Sequence, residues 1–241
     1  MVVVIQDPLF VQSENDLLHL LDDLLASDRD EWWNQFYSNR AKPCPFFVDF
    51  PDENLVEWVS NGQIRPGRAL DLGCGNGRNS TFLANAGFTV DGVDYAETAI
   101  EWANERGKTY QDGLNFHCRS VFDFQFQPES YDLVYDSGCF HHMPPHRRKT
   151  YVDLVLSALK PGGWLGLSCF NPEGGSGLTD QEVYEARSLK GGLGYTEAQL
   201  IWIWGRIVEI REFRQMRKPS PESGLFGEDF LWVMAGQKPE R

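Results

Sequence analysis

The sequence predicts an α/β fold: a seven-stranded, mostly parallel sheet with helices on both faces, its last two strands an antiparallel hairpin, preceded by a helical N-terminal cap. Three observations carry that expectation. From residue 67 onward, short apolar runs alternate with segments of helical spacing. A glycine cluster, GCGNGRN at 73–79, follows the first run directly. The last two apolar stretches are joined by a Pro/Ser/Gly-rich link with no helical segment, which suits an antiparallel pair.

Each element follows in order. Residues 1–66 form the cap, with one helix expected in SENDLLHLLDDLLAS and an aromatic-rich one in DRDEWWNQFYSNR. Strands are read in RALDLG, FTVDGVD, LNFHCRS, YDLVYD and GWLGLSCF. Helices lie between them in RNSTFLANAG and AETAIEWANERG, which end at Gly87 and Gly107, and in HRRKTYVDLVLSALKPGG, stopped by proline and glycine. Residues 171–205 are an insertion in which TEAQ at 196–199 has the spacing of a capping box. GRIVEIREF and DFLWVMAG, within 206–241, make the closing hairpin. No linker composition divides the chain, so 1–241 is expected to be one domain, with 67–170 as its core.

Composition limits the function. A chain of 241 residues with 41% hydrophobic and 13% aromatic residues has the means to bury a sizeable core. Its formal net charge of -13 repels nucleic acid on average. The compact basic stretches, HRRK at 146–149 and RQMRK at 214–218, are short enough to be solvated faces, so no nucleic-acid partner is expected. Five cysteines without a C-x-x-C pair argue against a zinc cluster or disulfide framework and favour a reducing cytoplasm. MVVVIQDPLF lacks the basic segment and apolar length of a signal peptide, and no run approaches a membrane span.

The glycine cluster reads G-x-G-x-G, with Arg78 where a dinucleotide fingerprint needs its third glycine, which disfavours NAD. The Lys-Ser/Thr pair of a phosphate-cradling P-loop is missing as well. Asp94 closes the next strand 21 residues after Gly73, placed to accept ribose hydroxyls. A ribose site without a pyrophosphate site, carried by DLGCGNG, VDGVDYAETAI, YDLVYDSGCFHHM and ALKPGGWLGLS in that order, resembles the class I S-adenosylmethionine-dependent methyltransferases, whose sheet is Rossmann-like. That resemblance covers residues 67 to about 170. It implies S-adenosylmethionine as cofactor, with Asp71 orienting the glycine loop and Gly73, Cys74 and Gly75 holding the methionine portion. It further implies Asp94 on the ribose, Tyr95 beside the adenosine, and Ser120, Val121 and Phe122 lining the adenine, Ser120 standing where the family usually has an acid. Asp136 and Ser137 leave the fourth strand at its ligand edge.

Methyl transfer needs alignment of donor and nucleophile, and a base only where the nucleophile holds a proton. Asp136, His141 and His142 are the candidates for catalysis; Asp136 alternatively serves as a turn acid, and the histidines as packing or helix-start groups. Trp33, Phe36 and Tyr37 either wall the cofactor or pack as ordinary core, and Arg40 is placed to reach an anionic group such as the methionine carboxylate. The aromatic cap is similar to that of the small-molecule branch that includes thiopurine S-methyltransferase and the tellurite-resistance methyltransferases. The expected function is methyl transfer to a small-molecule acceptor by in-line displacement. A non-catalytic S-adenosylmethionine-binding module is the alternative. No metal is expected, since a site built from His141, His142 and His146 would need carboxylate or thiolate partners in matching geometry.

Overall fold

A polar turn precedes the first helix: Ser13 Oγ accepts the amide of Asp16 at 3.1 Å while Asp16 Oδ2 accepts that of Ser13 at 2.9 Å. This reciprocal cap opens α1 (Glu14–Leu25). The computed structural model describes residues 11–25, 29–110 and 112–240. The MVVVIQDPLF stretch lies outside them. Helix α2 (Arg29–Ser38) carries the aromatics, and a third cap helix, α3 (Glu53–Ser60), follows Asp52 in a stretch for which the sequence reading assigned no helix. Its apolar face buries Leu55 and Trp58 completely.

The core alternates as expected: β1 (Arg68–Leu72), α4 (Arg78–Asn85), β2 (Thr89–Asp94), α5 (Glu97–Gly107), β3 (Leu114–Cys118), β4 (Tyr131–Ser137), α6 (Arg148–Ala158) and β5 (Leu159–Phe170). Strand β5 starts earlier than the apolar run GWLGLSCF, because Leu159 already pairs with Tyr131 before the Pro-Gly segment forces a register shift. The insertion holds α7 (Asp180–Ala186) and α8 (Glu197–Trp204), and β6 (Glu209–Gln215) and β7 (Leu231–Gln237) close the sheet. Strand order is β3-β2-β1-β4-β5-β7-β6. Pairings are parallel up to β5 and antiparallel for β5–β7 and β6–β7.

The period-two alternation of the strands sorts the core into two layers. In β4, Leu133 and Tyr135 join Leu55, Trp58 and Leu83 beneath α3 and α4, whereas Val134 joins Tyr151, Val155 and Trp204 beneath α6 and α8. The carboxyl ends of β1, β2 and β4 converge where the strand order reverses about β1, the usual seat of a ligand in such a sheet. The cap aromatics lie over that edge.

Candidate active site

Gly73 and Cys74 both donate their amides to Val93 O, at 2.8 and 3.1 Å, so the glycine loop is stitched to the end of β2. Gly75 has φ +53°, and a Cβ there would lie 2.6 Å from Tyr37 Oη, so only glycine permits both the bend and the approach of the cap. Gly77, at φ +74°, would set a Cβ 2.7 Å from Phe116 Cζ and 2.9 Å from Ala103 Cβ. The close packing of helix and sheet that a third fingerprint glycine normally allows is thus supplied by Gly77, and Arg78 is released for another task.

Four carboxylates surround the loop. Asp94 is 9% exposed; its Oδ2 accepts the Gly75 amide at 3.0 Å and its Oδ1 the Ala96 amide at 2.9 Å, so it braces the loop and the start of α5 together. Burial pushes its pKa up against those two amides. Asp71 accepts Ser80 Oγ at 2.6 Å, and burial lifts it to about 7. Asp136 is likewise raised to about 7 by burial. Asp52 is fully buried and pairs with Arg78 at 2.5 Å.

Asp136 was expected at the reacting edge, and both its oxygens are engaged within the chain. Oδ1 accepts the Cys139 amide at 2.7 Å, while Oδ2 accepts the Phe140 amide at 2.9 Å and Tyr151 Oη at 2.5 Å. It shapes the turn that carries the histidines, the turn-acid alternative. His141 is corrected too. Its ring stacks on Phe170 at 3.6 Å between centroids, its Nδ1 accepts the Phe170 amide at 3.1 Å, and burial holds its pKa well below the ordinary value. With Nδ1 filled, neutral His141 carries its proton on Nε2 and locks β5 to the turn. His142 is half-buried and meets the edge of Trp33 at 4.8 Å between ring centroids.

Arg40 is corrected as well: it binds Glu105 of α5 through Nη1 at 2.5 Å and Nη2 at 3.2 Å and lies over Trp102. It is therefore engaged on the outside of α5. Tyr37, 7% exposed, sits on the glycine loop, and Phe36, Phe47 and Trp33 pack around it. The cap aromatics pack on one another, and Tyr37 reaches Gly75 of the loop. Tyr95 is half-buried at the end of β2; Cys74 is buried; Ser120 Oγ accepts the Phe122 amide at 3.3 Å. Val121 is buried in the core, Phe122 packs beneath Arg147, and Ser137 Oγ accepts from Arg78 at 3.2 Å.

A family model described as a methyltransferase domain matches residues 69–163. A probable thiol methyltransferase of Arabidopsis thaliana is 29% identical over 174 residues, 72% of this chain and 75% of that protein. The 2-heptyl-1-hydroxyquinolin-4(1H)-one methyltransferase of Mycobacteroides abscessus is 31% identical, over 51% of this chain and 53% of its own length. The matched segment is a methyltransferase domain, and the enzyme's activity is S-adenosylmethionine-dependent methyl transfer. The fold agrees with that of the Burkholderia thailandensis 1,6-didemethyltoxoflavin-N1-methyltransferase solved with S-adenosylhomocysteine, at a TM-score of 0.60, 20% identity and coverage of 95% of this chain and 92% of that one.

The methyltransferase's own residues fit its cofactor, S-adenosylmethionine. The buried acids beside the loop suit a sulfonium cation, and Asn76 Nδ2 is a buried donor with no partner among the described residues. Arg78, Asp52, Asn76 and Arg106 were not among the site residues read from sequence. Their contacts join segments 27 to 59 positions apart, a distance over which no local spacing carries a signal.

Proposed function

We propose that this methyltransferase, acting as one unit over residues 1–241 in a reducing cytoplasm, methylates small acceptors whose nucleophile ionises readily near neutral pH, with small thiols foremost. One observation carries the acceptor class: Asp136 and His141, two of three expected bases, are engaged by the chain's own donors, three on Asp136 and the Phe170 amide on Nδ1 of His141. A thiol needs the least help, being partly thiolate at neutral pH and strongly nucleophilic. Trp33, His142 and Phe170 supply an apolar wall beside the loop, which suits an uncharged or soft acceptor body. The thiol named in the Arabidopsis relative favours the same class. All five cysteines are unpaired, consistent with the proposed compartment.

When bound, S-adenosylmethionine supplies a methyl group on sulfonium sulfur for in-line displacement. In this assignment Gly73, Cys74 and Gly75 present backbone groups to the methionine portion, and Asp94 turns an oxygen to the ribose. Tyr95, Ser120, Val121 and Phe122 flank the adenosine; Ser137 and Tyr37 close the donor side; His142 faces the acceptor. Asp136 and His141 act as positioning residues, and Asp71 holds the loop through Ser80. Trp33 and Tyr37 exclude water from the transfer. The curated relatives above are methyltransferases by name, and none favours a non-catalytic binding module.

Transfer of labelled methyl from S-adenosylmethionine to 4-nitrothiophenol, hydrogen sulfide, 4-nitrophenol and a primary aryl amine tests this. The expected result is thiol turnover at least about tenfold above the others. Faster transfer to the amine or the hydroxyl overturns the acceptor class.

A further inference from the structure

Arg78 is 6% exposed, and its guanidinium reaches three separate segments. It donates to Phe50 O at 3.0 Å, pairs with Asp52 at 2.5 Å, donates to Ser137 Oγ at 3.2 Å, and lies 4.3 Å over the ring of Phe226. Asp52 is shared in turn with Tyr135 Oη at 2.5 Å and Asn79 Nδ2 at 3.3 Å. A second guanidinium, Arg106 at the end of α5, donates to Asn76 Oδ1 at 3.1 Å inside the glycine cluster and pairs with Asp49 in the cap. Asp49, Phe50 and Asp52 are therefore held from the cofactor loop side by two planar, multi-donor cations. A buried ion pair is poor value for stability alone, since desolvation offsets most of its attraction. Its geometric effect is specific: it sets the cap segment 49–52 against residues 76–78.

We propose that Arg78 and Arg106 are positioning residues that couple the cap to the cofactor loop, so that cofactor binding and ordering of segment 49–52 form a single equilibrium. Neither side chain is assigned contact with the reacting atoms. Arg106 fixes Asn76, and Arg78 fixes the Ser137 end of β4. The inference rests on the glycine loop being the cofactor seat.

The test uses the full chain with S-adenosylhomocysteine as probe and compares wild type, R78K, R78M and R106M. Calorimetry reads affinity, and amide exchange of residues 29–38 and 49–52 is followed with and without the probe. In wild type the probe slows exchange in both segments. R106M, whose partner Asp49 is largely exposed, is expected to fold with a near-native Tm, bind about tenfold more weakly and lose the probe-dependent protection of 49–52. R78M is expected to lose more, and R78K to be intermediate, because an ammonium at Asp52 does not also span Phe50 and Ser137. If R78M does not fold, R78K and R106M carry the test. A merely structural role lowers Tm while leaving the probe-dependent change intact. Variants that bind within twofold of wild type and keep full protection overturn the coupling. A wild-type chain that fails to bind the probe removes the cofactor seat instead.

Discussion

At the scale of single residues, Asp94 does two jobs with one carboxylate. The sequence position marked it as a ribose acceptor; the structure adds that its oxygens brace Gly75 and Ala96. Asp94→Ala is therefore expected to lower unfolding free energy by about 2 kcal/mol and to weaken S-adenosylhomocysteine binding about tenfold or more. Chemical denaturation and calorimetry read the two effects separately, and a loss of affinity with unchanged stability contradicts the bracing role. Asp71 and Asp136 make a pH prediction. Their folded pKa values, about 7, stand above the ordinary carboxylate value, so the stability they confer is complete below about pH 4 and is lost as pH rises toward 7. Asp22, held down to about 2 by His146 and Arg147 despite burial, has the opposite sign: its contribution is present above about pH 4 and is lost as pH falls toward 2. Urea unfolding at pH 5 and pH 8 checks the first pair, with Asp71→Asn expected to flatten the slope. A sulfonium favours the ionised acids, so the affinity ratio of S-adenosylmethionine to S-adenosylhomocysteine is expected to rise from pH 6 to pH 8. Calorimetric titrations at both pH values measure it.

At the scale of elements, what the chain revealed in advance depended on how local each signal was. Five strands showed as short apolar runs, two helices as segments ending at Gly87 and Gly107, and Thr196 to Gln199 as a capping box; the box is present, with Thr196 Oγ accepting the Gln199 amide at 3.3 Å. Thr179 to Glu182 carries the same signal and forms the same box, but α7 is only 7 residues long and offers no apolar period to draw the eye. Helix α3 starts after Asp52, which makes no side-chain cap bond and gives its carboxylate to Arg78. The partners of His141 and Asp136, Phe170 and Tyr151, lie 29 and 15 positions away, too far for a local pattern to show them. Thr196→Ala is expected to cost about 1 kcal/mol of stability with cofactor affinity unchanged. Thermal unfolding and calorimetry on the same sample test both halves of that statement.

For the whole molecule, the excess of 35 acidic over 22 basic residues sets a field that opposes compaction. Moving from about 10 mM to about 200 mM salt shortens the screening length below the protein's radius and is expected to raise Tm by about 2–4 °C. Scanning calorimetry across that range checks it, and a falling Tm would mean that ion pairs such as the clasp of Asp22 by His146 and Arg147 dominate.

Strand β7 is made after every other strand, yet it lies between β5 and β6. A nascent chain that has not yet synthesised residues 231–237 therefore leaves β5 with an open rim and β6 without a neighbour. Such an intermediate offers a template for pairing with other unfinished copies, which makes the interval before that strand docks the period of greatest aggregation hazard during translation.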